Sequence, residues 1–118
     1  MKFFLASLTS LFFLSSFAIA GDVRGVRIAS GYVIPGGSAE FNREFIFQER
    51  MVGRIAVIGS NKTDIDCWLY DADGALVDSD TDDTSVCDLV VVPQWTGRFS
   101  LVIQNRGTIG SPYTLRTN

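Results

Sequence analysis

Nine aspartates (Asp64, Asp66, Asp71, Asp73, Asp78, Asp80, Asp82, Asp83 and Asp88) crowd into a stretch of this chain that holds no Lys or Arg. A hard cation would relieve their mutual repulsion, since Ca²⁺ takes about six to eight oxygen ligands. Asp71 and Asp73 already suit an Asp-x-Asp-Gly turn, where carboxylates bond nearby backbone N–H groups. Asp78, Asp80, Asp82 and Asp83 are therefore the candidate Ca²⁺ ligands, expected in loops of a hairpin region. The competing reading is a solvated acidic surface.

Trp68 and Tyr70 lie two residues apart, as stacking platforms for sugars or peptide side chains do, with Trp95 in a turn nearby in sequence. Aromatics so placed also commonly cover a sheet face or pack under a loop. Catalysis is not expected. The chain has no His, which removes the usual general base for a Ser or Cys nucleophile and the commonest transition-metal ligand. Paired carboxylates can cleave glycosides, but these Asp gather in turns rather than across a cleft. The acidic balance, 13 Asp and Glu against 10 Lys and Arg, makes nucleic acid a poor partner.

The elements that must position these residues begin with Met1-Lys2, an apolar run from Phe3 to Phe17, and Ala18-Ile19-Ala20. This reads as a secretory signal peptide, residues 1–20, cleaved after Ala20. An uncleaved anchor is the alternative, because the run approaches the roughly 18 residues that a span needs. No basic stop-transfer cluster follows, so stable membrane insertion of the cleaved product is not expected. The remaining segment, 21–118, is one domain's worth, secreted or periplasmic. Export places Cys67 and Cys87, the only cysteines, where disulfides persist.

Helical periodicity is missing, whereas several runs alternate with period two. Phe41, Phe45 and Phe47 share a face; so do Ile55 and Val57; Ile65, Cys67 and Leu69; Cys87, Leu89 and Val91; and Phe99, Leu101 and Ile103. Asp66, Trp68 and Tyr70 take the opposite face of their run. Turn chemistry falls at Pro35–Ser38, Gly59–Lys62, Asp71–Gly74, Pro93–Gly97 and Asn105–Gly107. Short strands at this spacing predict an all-β antiparallel sandwich, jelly-roll-like, of about eight strands. Phase turns both Cys inward, so one buried disulfide between two strands is expected in place of two free thiols. Asn61-Lys62-Thr63 matches a glycosylation sequon.

One ordered set of motifs carries a resemblance. Pro35 to Phe41, Ile55 to Gly59, Asp64 to Gly74, Thr96 to Phe99 and Tyr113 to Leu115 together resemble the bacterial pre-peptidase C-terminal domain. That is a secreted β-sandwich appended to proteases and other exported enzymes, and also found alone. Cys67 stands where the family more often has an apolar residue, and no catalytic domain is expected beside the module. The resemblance implies a bacterial, non-catalytic binding or structural module, whose partner would be an extracellular or periplasmic protein or polysaccharide. Some relatives bind calcium through an acidic N-terminal segment, but Asp22 to Arg27 is nearly neutral here. The alternative function is a calcium-dependent carbohydrate- or protein-binding domain.

Overall fold

The computed structural model describes residues 21–118, so the expected signal segment, 1–20, lies outside the described residues. Eight strands follow one another: β1 (Ile28–Val33), β2 (Ser38–Phe47), β3 (Gly53–Gly59), β4 (Ile65–Tyr70), β5 (Leu76–Asp80), β6 (Val86–Val91), β7 (Gly97–Asn105) and β8 (Ser111–Thr117). They pair antiparallel in two sheets ordered β1-β8-β3-β6 and β2-β7-β4-β5. The chain crosses between sheets at every connection except the β4–β5 hairpin, which is the strand order of a jelly roll. No helix occurs among the described residues, and so none long and apolar enough to cross a membrane.

The inward residues expected from alternation form the core. Ile55, Val57, Ile65, Leu69, Leu89, Leu101 and Ile103 are each fully buried, and Phe99 nearly so. Each such side chain contributes about 1.5–3 kcal/mol on leaving water. Strand β2 carries an irregularity: Phe41 faces Leu101 and Phe45 faces Phe99, so β2 has two residues more than β7 across that interval. Arg43 absorbs the excess with a φ of 58°. An even excess preserves alternation, which keeps Phe41, Phe45 and Phe47 on the inner face, with ring centroids 5.9 and 6.1 Å apart in sequence order.

Two strands, β1 and β5, lack an apolar alternation that marks them. In β1 the middle residue is Gly31, where an added Cβ would fall 2.4 Å from the Tyr113 hydroxyl. The absence of a side chain there lets the Tyr113 ring cross the strand. In β5 the positions paired with the inward residues Leu69 and Cys67 are Asp78 and Asp80. The sequence pattern places these two in loops; they stand in a strand instead, despite the poor fit of Asp to strand interiors.

The compensation lies across the gap between the sheets. β6 is an edge strand, and the N–H groups that it does not give to β3 would be left open to pairing. Val90 N–H donates to Asp78 Oδ2 at 2.8 Å, Asp88 N–H to Asp80 Oδ2 at 2.9 Å, and Val86 N–H to Thr84 Oγ1 at 3.3 Å. Carboxylates on the edge of one sheet thus close the edge of the other.

Asn105, fully buried at the end of β7, performs the same task at another corner. Its Nδ2 donates to Val33 O at 3.1 Å and Ile109 O at 2.8 Å, while its Oδ1 accepts from Gly107 N–H at 2.9 Å. Asn105→Ala leaves three backbone groups without partners, at about 1–3 kcal/mol for each that water cannot reach. Chemical denaturation is expected to show a loss of about 3 kcal/mol; a loss under about 1 kcal/mol would mean that the 105–110 loop repacks around the gap.

Candidate functional site

The disulfide is formed. Cys67 on β4 and Cys87 on β6 are bonded, with Cα atoms 6.2 Å apart and neither residue exposed. The bond therefore joins the two sheets, and both cysteines are accounted for structurally.

Three of the four candidate calcium ligands have backbone partners of their own, and Asp80 also contacts Asp82. Asp78 and Asp80 spend Oδ2 on the β6 backbone, and Asp78 Oδ1 also accepts from Ser79 N–H at 2.9 Å. Asp82 closes a local turn, its Oδ1 accepting from Thr84 N–H at 3.0 Å and Thr84 Oγ1 at 2.7 Å. Those two bonds, the hydroxyl one first, hold the Asp82 carboxyl below the usual range. Asp83 is exposed on a shallow groove that also contains Asp64. Among the described residues, no three His, Cys, Asp or Glu side chains converge as a metal would require. Asp71 acts as expected in its turn: Oδ1 accepts from Asp73 N–H and Ala75 N–H, both at 2.9 Å, and Gly74 adopts a φ of 83°.

Asp64, just before β4, and Asp66 at its start are different. Asp66 is 4% exposed, and its Oδ2 lies 3.5 Å from Arg106 Nη1. Oδ1 of Asp64 and Oδ1 of Asp66 are both buried without a hydrogen-bond partner. Burial, then the neighbouring Asp64 charge, push the Asp66 carboxyl above its ordinary range, while Arg106 opposes them. A carboxyl raised in the folded chain favours folding below its unfolded value, and that contribution is lost as pH rises through the folded one.

Trp68 and Tyr70 stand on the outer face of the β2-β7-β4-β5 sheet, as their phase requires. Trp68 pairs with Val102 on one side and Ser79 on the other, Tyr70 with Ser100 and Leu76. Both are half-buried. Trp95 presents far more surface: it is 73% exposed, the most of any large apolar residue described. It borders an open cleft of about 780 Å³ at one end of the sandwich, between the β4–β5 turn and the β6–β7 loop. Asp71 and Asp73 line it together with the apolar Val77, Val92 and Pro93, and Gln94 and Arg98 add polar groups beside Trp95. The sequence marks Trp95 as a turn residue but carries no signal for the cleft, because its walls come together only through the sheet crossover.

No family model matches the chain, and no curated protein matches it in sequence. Solved structures do match in fold. The chain is similar to the pre-peptidase C-terminal domain of a collagenase from Bacillus anthracis, with a TM-score of 0.59 at 12% identity over 78% of this chain and 88% of that one. It is also similar to PliG of Aeromonas hydrophila, a periplasmic inhibitor of g-type lysozyme, with a TM-score of 0.55 at 8% identity over 79% and 84% of the two chains. The Yersinia pseudotuberculosis-derived mitogen matches with a TM-score of 0.52 at 13% identity over 80% and 85%. The fold is a β-sandwich like that of the pre-peptidase C-terminal domain.

Proposed function

We propose that this chain is an exported, non-catalytic binding module that recognises a polysaccharide through the cleft beside Trp95. The observation that carries the reading is an indole left 73% exposed at the rim of that cleft. Burying so large an apolar surface is favourable, and nothing within the described residues covers it. An aromatic face takes the apolar face of a pyranose, and the Asp73, Gln94 and Arg98 side chains supply acceptors and donors for its hydroxyls. The disulfide supports an oxidising compartment. The absence of His from the chain and the bonding of both Cys support a module without catalysis. One neighbour in fold, PliG, is a lysozyme inhibitor, so a protein ligand is the second reading.

Titration of the protein against soluble cell-wall and storage glycans, with Trp95→Ala in parallel, tests the site. Truncating a central aromatic anchor commonly costs about 2 kcal/mol, so affinity is expected to fall about thirtyfold. Because Trp95 is so exposed, the variant's melting temperature is expected to stay within about 2 °C of the parent. Glycan binding that survives Trp95→Ala but is lost with Trp68→Ala moves the site to the sheet face. No binding to any glycan, with capture of a lysozyme by the parent alone, favours the protein ligand.

A further inference from the structure

The two sheets end in the edge strands β1, β6, β2 and β5, and three of these are guarded against pairing. Asp78 and Asp80 of β5 close β6, and such inward carboxylates also make β5 a poor template. The second half of β2 is covered by the 21–24 segment: Val23 N–H donates to Ile46 O at 2.8 Å, Ile46 N–H to Asp22 Oδ2 at 3.3 Å, and Gln48 N–H to Gly21 O at 2.9 Å. Its first half carries the charge of Glu40 and then the irregularity at Arg43, both of which discourage pairing. The fourth edge, β1, has no such device.

β1 reads Ile-Ala-Ser-Gly-Tyr-Val, without a charge, a Pro or a break in its register. Thr117 N–H donates to Arg27 O at 3.0 Å, so the backbone groups of Ala29, Gly31 and Val33 face β8 in the ladder that follows, and those of Ile28, Ser30 and Tyr32 face outward. The solvent side is apolar too. Ile28 and Tyr32 are each more than half exposed, as are Val26 and Ile34 one alternation beyond them. Such an edge is a template for another strand.

The four exposed residues stand symmetrically about Ser30, and that symmetry specifies the strand. We propose that β1 pairs antiparallel with β1 of a second copy of this chain about a two-fold axis at Ser30, joining their sheets edge to edge. Ile28 then lies opposite Tyr32 of the second copy, Val26 opposite Ile34, and Ser30 opposite its own equivalent. The outward backbone groups of Ile28, Ser30 and Tyr32 are the ones that this register bonds. No like charges meet, because the strand carries none. Closed two-fold dimers are also the commonest assembly of identical chains. The four side chains expose on the order of 400 Å² per copy, about half of the roughly 800 Å² per partner in a standard interface. The dimer is therefore weak, with Kd on the order of 10⁻⁵ to 10⁻⁴ M. β1 lies at the opposite edge of its sheet from β6, so pairing leaves the Trp95 cleft open and does not depend on its ligand.

Analytical ultracentrifugation from about 1 μM to 1 mM, a range that brackets this Kd, tests the proposal. The mean mass of the parent is expected to rise towards twice that of the monomer. Ser30→Lys and Ser30→Glu each set like charges directly opposite one another at the axis, and each should stay monomeric throughout. Because Ser30 is exposed, both should melt within about 2 °C of the dilute parent. An equimolar mixture opposes Lys to Glu and should recover the dimer, which neither a misfolded variant nor pairing through another surface would do. Trp95→Ala, which removes the proposed glycan anchor, should dimerise like the parent, so the two readings fail separately. A parent that stays monomeric to about 1 mM would overturn the proposal and leave β1 to water or to a strand of another protein. Dimers that survive both Ser30 substitutions, or charged variants whose mixture stays monomeric, would overturn it as well.

Discussion

Replacing Cys67 and Cys87 together with Ala is expected to destabilise the fold by about 2–5 kcal/mol, lowering the melting temperature by roughly 10 °C or more. The bond joins β4 of one sheet to β6 of the other. Between the two cysteines run β5 and the acidic 81–85 loop, closing a loop with a sequence separation of 20, for which the chain-entropy argument gives about 3 kcal/mol. Beyond the chain entropy, this side of the sandwich has little apolar cement: of the β5 residues, Leu76 and Val77 are exposed, and Asp78 and Asp80 face inward. The staple therefore ties β6, an edge strand, to β4, the neighbour of edge strand β5, whose own inward positions are carboxylates. Denaturant melts of the double variant, and of the parent with and without reductant, measure the effect. A loss below about 1 kcal/mol in both would show that the core carries this side unaided.

How much of this is legible in the sequence follows from which strands are buried on one face. β3, β4, β6 and β7 bury an apolar row, and their period-two pattern reports both strand and phase, including the inward turn of Cys67 and Cys87 that the bond requires. β2 stays in phase because its excess over β7 is even; an odd excess would put Phe41 outside. β5 is opaque. Its inward positions are Asp, and the partners that justify them are N–H groups of a strand in the other sheet. No local pattern encodes that. Asp78 and Asp80 stand out as calcium candidates because turn geometry does not explain them, and the structure supplies a different use. Asp64 and Asp66 look like ordinary members of a strand motif; only the burial of their Oδ1 atoms without partners sets them apart. The Trp95 cleft is hidden for a related reason, since its walls come from the 71–73 turn and the 92–97 loop, far apart in sequence.

The double substitution Asp78→Ala with Asp80→Ala is expected to cost about 2–4 kcal/mol, because hydrogen bonds to charged groups are each worth about 1.5–3 kcal/mol and both sites are half-buried rather than fully enclosed. Val90 and Asp88 would lose their acceptors, freeing the open edge of β6. An unprotected edge strand pairs with other chains, so the variant should also associate beyond the parent with increasing concentration, measurable by light scattering. Asp78→Asn with Asp80→Asn keeps an acceptor oxygen at each place and should recover most of the stability and the parent's state of association. Calcium is expected to leave the cost of the Ala substitutions unchanged, since these carboxylates act on backbone N–H groups. A cost that appears only in calcium would instead make Asp78 and Asp80 metal ligands, while an unchanged melt in both buffers would show that water serves the β6 edge as well as the carboxylates do.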